Sequence, residues 1–203
     1  MKISSLFGLF LIIGMAAHAQ INTLEPGARA PGFNLKNIDG KMVSPDSYPD
    51  AKGFIVVFTA NTCPYAIAYE DRLIELDKKS AAQGYPVIAI NPNPPALSSG
   101  DSFEAMQEKS KTKGFSFPYL FDEGQVVTEQ YGARVTPHIF LLKKDGSNLK
   151  VMYTGAIDND TQDVNPNKTL YVENAIAALN AGRDIEVAST KAIGCTVKRP
   201  AVK

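Results

Sequence analysis

"GFIVVFTANTCPYAIAYEDRL", residues 53–73, decides the fold. Its first eight residues, Gly53 to Ala60, form an unbroken apolar, β-branched run, the pattern of a strand buried on both faces of a sheet. From Thr62 to Gln83 the spacing turns helical. Ala66, Tyr69, Leu73 and Leu76 share one face, and Glu70, Asp71, Glu75 and Lys78 lie largely elsewhere. Gly84 stops the helix, and "YPVIAIN" (85–91) supplies a second buried strand. Strand, helix, strand is the unit of a parallel sheet with a right-handed crossover.

Working outward, "FNLKNIDGKMV" (33–43) predicts two short strands joined at Asp39-Gly40. After a Pro- and Ser-rich loop, "DSFEAMQEKSKTKG" (101–114) predicts a helix, with Asp101 and Glu104 at capping-box spacing. "FPYLFDEG" is expected to be a short strand and turn, and "QVVTEQYGA" a short helix closed by Gly132. "HIFLLKKDGSNLKVMYTGAI" predicts two antiparallel strands around Asp145-Gly146. "NPNKTLYVENAIAALNAG" predicts a helix capped by Asn165, with Pro166 first and Gly182 as its stop. Residues 183–203 are expected to form an irregular, flexible tail carrying Cys195. The order is one α/β domain: a central mixed sheet flanked by helices, with an N-terminal β-hairpin and an αβ insertion.

Residues 1–19 stand apart. Lys2, an apolar run from Leu6 to Met15, and Ala17 and Ala19 around His18 have the form of a secretory signal peptide, cut before Gln20. The apolar run is too short to span a bilayer, and no later segment is long enough, so no membrane insertion is expected after cleavage. The expected location is across the inner membrane, periplasmic or extracellular, where disulfides are permitted. Lys+Arg and Asp+Glu both number 21, so no basic surplus points to nucleic acid. Two histidines, one of them in the leader, and two distant cysteines give no metal-ligand cluster, and no organic cofactor is implied.

A thiol at Cys63 sits where a helix begins. Free cysteine has a pKa near ~8.5, and the unpaired N–H groups of a first helical turn favour the thiolate, which is the nucleophilic form. Pro64 is tolerated there because first-turn N–H groups have no helical partner. Thr62 is the predicted cap. Cys195 admits three roles. It resolves an intermediate on Cys63, it forms a permanent staple with Cys63, or it never meets Cys63.

The order of elements resembles the thioredoxin-like superfamily, and within it the redoxins of the alkyl hydroperoxide reductase/thiol-specific antioxidant (peroxiredoxin-like) type. "GARAPGFNL" with "IDGKMVS", "VVFTANTCP", "YGARVTPHIFLLKKDG" and "YTGAID" carry the likeness, from about Gly27 to Gly182. The frame departs at several points. Cys63-Pro64-Tyr65-Ala66 lacks the second cysteine of Cys-x-x-Cys. Val57 stands where thioredoxins have a buried Asp. Val56 and Ala60 stand where peroxiredoxins have Pro and Thr.

The resemblance implies a thiol oxidoreductase in which Cys63 attacks a peroxide or a protein disulfide and Cys195 resolves the product. An unidentified thiol reductant would restore the pair. Pro137 would be the fold's cis-proline, and Thr136, with Thr62 and Pro64, would border the substrate. Arg134 is a candidate to stabilise a thiolate, and a surface ion pair is its other reading. His138 is a candidate acid/base, or a strand residue facing away from the sulfur. The competing class is a non-catalytic binding module with a structural Cys63–Cys195 bridge.

Overall fold

The computed structural model describes residues 22–201; the expected leader lies outside them. The strands are β1 (Arg29–Ala30), β2 (Leu35–Asn37), β3 (Met42–Val43), β4 (Gly53–Phe58), β5 (Val87–Asn91), β6 (Tyr119–Phe121), β7 (Val135–Thr136), β8 (His138–Asp145), β9 (Asn148–Gly155) and β10 (Cys195–Thr196). The α-helices are α1 (Pro64–Ala81), α2 (Phe103–Lys113), α3 (Val126–Tyr131) and α4 (Tyr171–Asn180). Eight strands form one sheet in the order β1-β9-β8-β4-β5-β6-β2-β3, and β7 and β10 form a separate pair. β4, β5 and β6 run parallel, and β8 and β9 antiparallel to their neighbours, giving the mixed sheet expected.

The continuous apolar run of β4 is explained by two cores. Ile55 and Val57 pack with Tyr69, Leu73 and Leu76 of α1 and with Val172 and Ile176 of α4. Phe54, Val56 and Phe58 face the opposite side with Phe140, Tyr131 and Val127. Every residue of β4 is buried, so a polar residue on either face would lose solvation without a partner.

Both hairpins form where the turn chemistry placed them, with Leu35 opposite Val43 and Asp145 opposite Asn148. Three boundaries differ from expectation, each for a local reason. α1 begins at Pro64, so Cys63 and not Thr62 is the N-cap residue. The ring of Pro64 disfavours α geometry at the residue before it, and Cys63 is extended at φ −81°, ψ 118°. Ser102 caps α2 by accepting the Ala105 N–H, which leaves Asp101 outside the helix. α4 begins at Tyr171, because Asn165 is held in a turn: its side-chain oxygen accepts the Asn167 N–H, and its own N–H is taken by Asp160.

The tail is irregular through most of its length, yet it is docked throughout. Thr190 donates its N–H to the Thr154 carbonyl, its hydroxyl accepts the Ala156 N–H, and the Ala188 carbonyl accepts the Thr154 N–H. Val197 is buried, and Lys198 donates its N–H to Asn93. Arg199 binds Glu129 and the Ala133 carbonyl, each at 2.7 Å. Among the described residues no helix is long and apolar enough to cross a membrane.

Candidate functional site

Three elements meet at Cys63. α1 presents it at the N-terminus. The cis Thr136-Pro137 bond ends β7 against it, and the Cys63 thiol donates to the Thr136 carbonyl at 2.9 Å. β10 lies antiparallel on β7 with Cys195 opposite Thr136, which brings Cys195 into contact with Cys63. Cys63 is buried, only 3% exposed, and both cysteines are free thiols. Gly194 makes the close approach possible: a Cβ there would lie 2.0 Å from the Thr136 oxygen.

The two thiols are electrostatically unequal. Burial pushes the Cys63 pKa up. The Cys195 thiol, the Thr136 hydroxyl and the backbone N–H groups of Ala66 and Cys195 all hydrogen-bond in favour of the thiolate, and together they bring it below the ordinary value. Cys195 is pushed up to about 11, by burial first, then by its hydrogen bond to Cys63 and the charge there. Of the two thiols, Cys63 is the one whose surroundings favour the thiolate.

The loop ahead of Cys63 is fixed by Asp101, whose spacing to Glu104 predicts a helix cap. Asp101 is fully buried. One carboxylate oxygen accepts the Asn61 N–H at 2.6 Å and the Asn91 amide at 3.2 Å. The other accepts from the Thr62 hydroxyl at 2.8 Å, the Asn93 amide at 2.9 Å and the Ser98 hydroxyl at 2.6 Å. Burial raises its pKa, but these donors outweigh it and hold the carboxyl below its usual range. Two of the five donors belong to the residues immediately before Cys63. Asn91, at the end of β5, with Asn93, Ser98 and Asp101 beyond it in a Pro-rich loop, were the available signal.

Thr62, expected to cap α1, instead turns its hydroxyl to Asp101 and Ser98. Pro64 occupies the first helical position as expected. Arg134 is exposed, and its carbonyl accepts the Val197 N–H. His138 is buried in the sheet, its ring tilted against Phe140 with centroids 4.6 Å apart, and its Nε2 lies 3.2 Å from the Thr154 hydroxyl. Burial, aided by the Arg134 charge, pushes its pKa down to about 4. In the unfolded chain histidine titrates near ~6.5, so the unfolded state binds the extra proton first. The resulting stability is complete above that value and is lost as pH falls towards 4. We expect about 3 kcal/mol of stability to disappear between pH 7 and 4 from this group. Urea unfolding of His138→Gln at both pH values should show a correspondingly smaller loss.

Beside Pro137 lies a cavity of about 250 Å³, walled by Tyr69, Ile157, Tyr171, Thr190 and Ile193. Its floor is rigid, because Asp158 accepts from Tyr69 at 2.8 Å and pairs with Arg72 at 2.5 Å.

Comparison with known proteins bears on the fold and the family. A protein of Sinorhizobium meliloti 1021 superposes with a TM-score of 0.81 at 28% identity, over 89% of this chain and 98% of that one. A conserved protein from Geobacillus kaustophilus gives 0.80 at 30%, over 89% and 96%. In sequence, the chain is 28% identical over 131 residues to the thiol-disulfide oxidoreductase ResA of Halalkalibacterium halodurans, covering 64% of this chain and 69% of that one. The peroxidoxin BcpB of Mycobacterium tuberculosis shares the fold, with a TM-score of 0.60 at 17% identity over 79% and 99%. Residues 26–150, from just before β1 into the first three residues of β9, match the AhpC/TSA family, and the chain belongs to that family.

Proposed function

We propose that this thiol oxidoreductase exchanges disulfides with protein partners, with Cys63 as nucleophile and Cys195 as resolving thiol. One observation carries the proposal: two free thiols in contact, with opposite pKa displacements. The Cys63 thiolate attacks one sulfur of a partner disulfide. The partner's other sulfur leaves as a thiolate and takes a proton, and Cys63 is left in a mixed disulfide. Bond formation removes the Cys63 charge, and with it two of the influences holding Cys195 protonated. Cys195 then loses its proton more readily and attacks the Cys63 sulfur. A Cys63–Cys195 disulfide forms, and the partner's second sulfur leaves reduced. Two electrons pass from the cysteine pair to the partner, and an external dithiol reductant returns them.

Thr62, Pro64, Thr136 and Pro137 shape the approach to the sulfur in this reading. Arg134 and His138 act at a distance, through charge and packing. The similarity to proteins named thiol-disulfide oxidoreductases and the absence of the peroxiredoxin Pro and Thr, replaced by Val56 and Ala60, favour a disulfide over a peroxide. The leader implies that residues 1–19 are removed, leaving a domain of 20–182 with its tail of 183–203 outside the inner membrane.

The test is Cys195→Ser incubated with an oxidised protein substrate. A mixed disulfide at Cys63 that accumulates and survives is expected by mass spectrometry, whereas the parent chain releases reduced product. Fast oxidation of Cys63 by hydrogen peroxide, together with inertness to disulfides, would move the assignment to a peroxidase.

A further inference from the structure

The contact that supplies Cys195 also closes the site. A sulfur delivered to Cys63 must come to the place that the Cys195 sulfur occupies, and the backbone edge beside that place is Thr136, already paired with Cys195. Cys63 is 3% exposed and Thr136 1% with the tail seated. A polypeptide partner and β10 therefore compete for one edge. The tail itself shows how an occupant lies there: extended, antiparallel, with a residue lacking Cβ just before the cysteine, because the Thr136 oxygen leaves no room for more.

The strength of the tail's attachment is uneven. β10 is two residues long and is preceded by exposed residues, Ile193 at 53% among them. The firm anchors come after it, at Val197, Lys198 and Arg199. Around the sulfurs, Tyr65 and Leu97 are exposed apolar side chains, together with Ile193. Tyr65 follows Cys63 by two residues, and Leu97 neighbours Ser98, which contacts Thr62. Such a rim suits a partner segment with apolar flanks.

We propose that β10 is an exchangeable strand: an extended, cysteine-bearing segment of a partner polypeptide replaces it on the Thr136 edge, and its return delivers Cys195 and expels the product. This rests on the disulfide-exchange reading above. The mode is strand addition to a free edge, with the chain's own tail as placeholder. Exchange adds no chemical step; it orders those already given, so attack by Cys63 occurs with the tail displaced and attack by Cys195 with it seated.

The experiment traps Cys195→Ser at Cys63 with a peptide of the sequence around Cys195, activated as a mixed disulfide, and with glutathione in parallel. Amide hydrogen exchange is then followed. In the peptide adduct, the amides of β10, residues 195–196, should exchange at least tenfold faster than in the untrapped protein, while those of residues 135–136, paired with the peptide, stay protected. Unchanged tail protection in that adduct overturns the inference and leaves disulfide exchange standing. Failure of Cys63 to react with either disulfide removes both.

A second variant, Gly194→Ala, loosens β10 without touching either sulfur. It should raise the rate of reaction with the peptide disulfide about tenfold, after division by the thiolate fraction read from the pH profile of Cys63 alkylation. That division removes any shift in Cys63 ionisation, and an unchanged corrected rate overturns the inference.

Discussion

Cys63→Ser is expected to lower thiol–disulfide exchange by at least a thousandfold while leaving the fold at least as stable. The two effects separate because Cys63 has two roles. As nucleophile it needs a group that ionises near neutral pH, and a serine hydroxyl does not. As the N-cap residue of α1, however, position 63 favours serine, among the best capping residues, whereas the cysteine makes no side-chain cap hydrogen bond. A serine hydroxyl also retains a donor for the Thr136 carbonyl. Stopped-flow turnover with a disulfide substrate, beside thermal unfolding, checks both halves. Residual turnover near that of the parent would show that another group carries the chemistry.

The second large effect is expected at Asp101. An Asp101→Asn change keeps the shape but replaces an acceptor oxygen with an NH₂ donor. Turned one way, the amide NH₂ faces the Asn61 N–H and the Asn91 amide; turned the other, it faces the Asn93 amide and forces the Thr62 and Ser98 hydroxyls to turn and accept. Each buried group left unpaired costs about 1–3 kcal/mol, so a loss of roughly 3 kcal/mol is expected by urea unfolding. A structural role alone would stop there. Because two donors belong to Asn61 and Thr62, the rate of Cys63 alkylation should also change at a pH where the protein is still fully folded. A stability loss with the alkylation pH profile unmoved would confine Asp101 to the fold.

The strand–helix–strand unit was legible because β4 and α1 each follow a single period, and that period is set by burial on both faces of β4 and one face of α1. The same local logic placed Cys63 at a helix start, whereas the proline loop was expected from the family resemblance alone. Asp101 was not legible. Its capping-box spacing to Glu104 is real, but Ser102 is a competent cap one residue later, and only the folded chain brings residue 101 to residues 61 and 62. The docking of the tail was not legible for a similar reason: "AIGCTVKRP" has no strand period, and its anchors are more than sixty residues away in sequence. Contacts of that range leave no mark on local composition.

The sheet's margins bear on how this chain behaves at high concentration. Its outer strands, β1 and β3, are two residues each, with Arg29 on one and Lys41 preceding the other. A long, flat, apolar margin would offer unpaired backbone to another molecule and seed fibrous association. Margins this short, with basic side chains beside them, give a second copy little to pair with. Protection against self-association is thus built into the two weakest strands of the sheet, where it costs least in core packing.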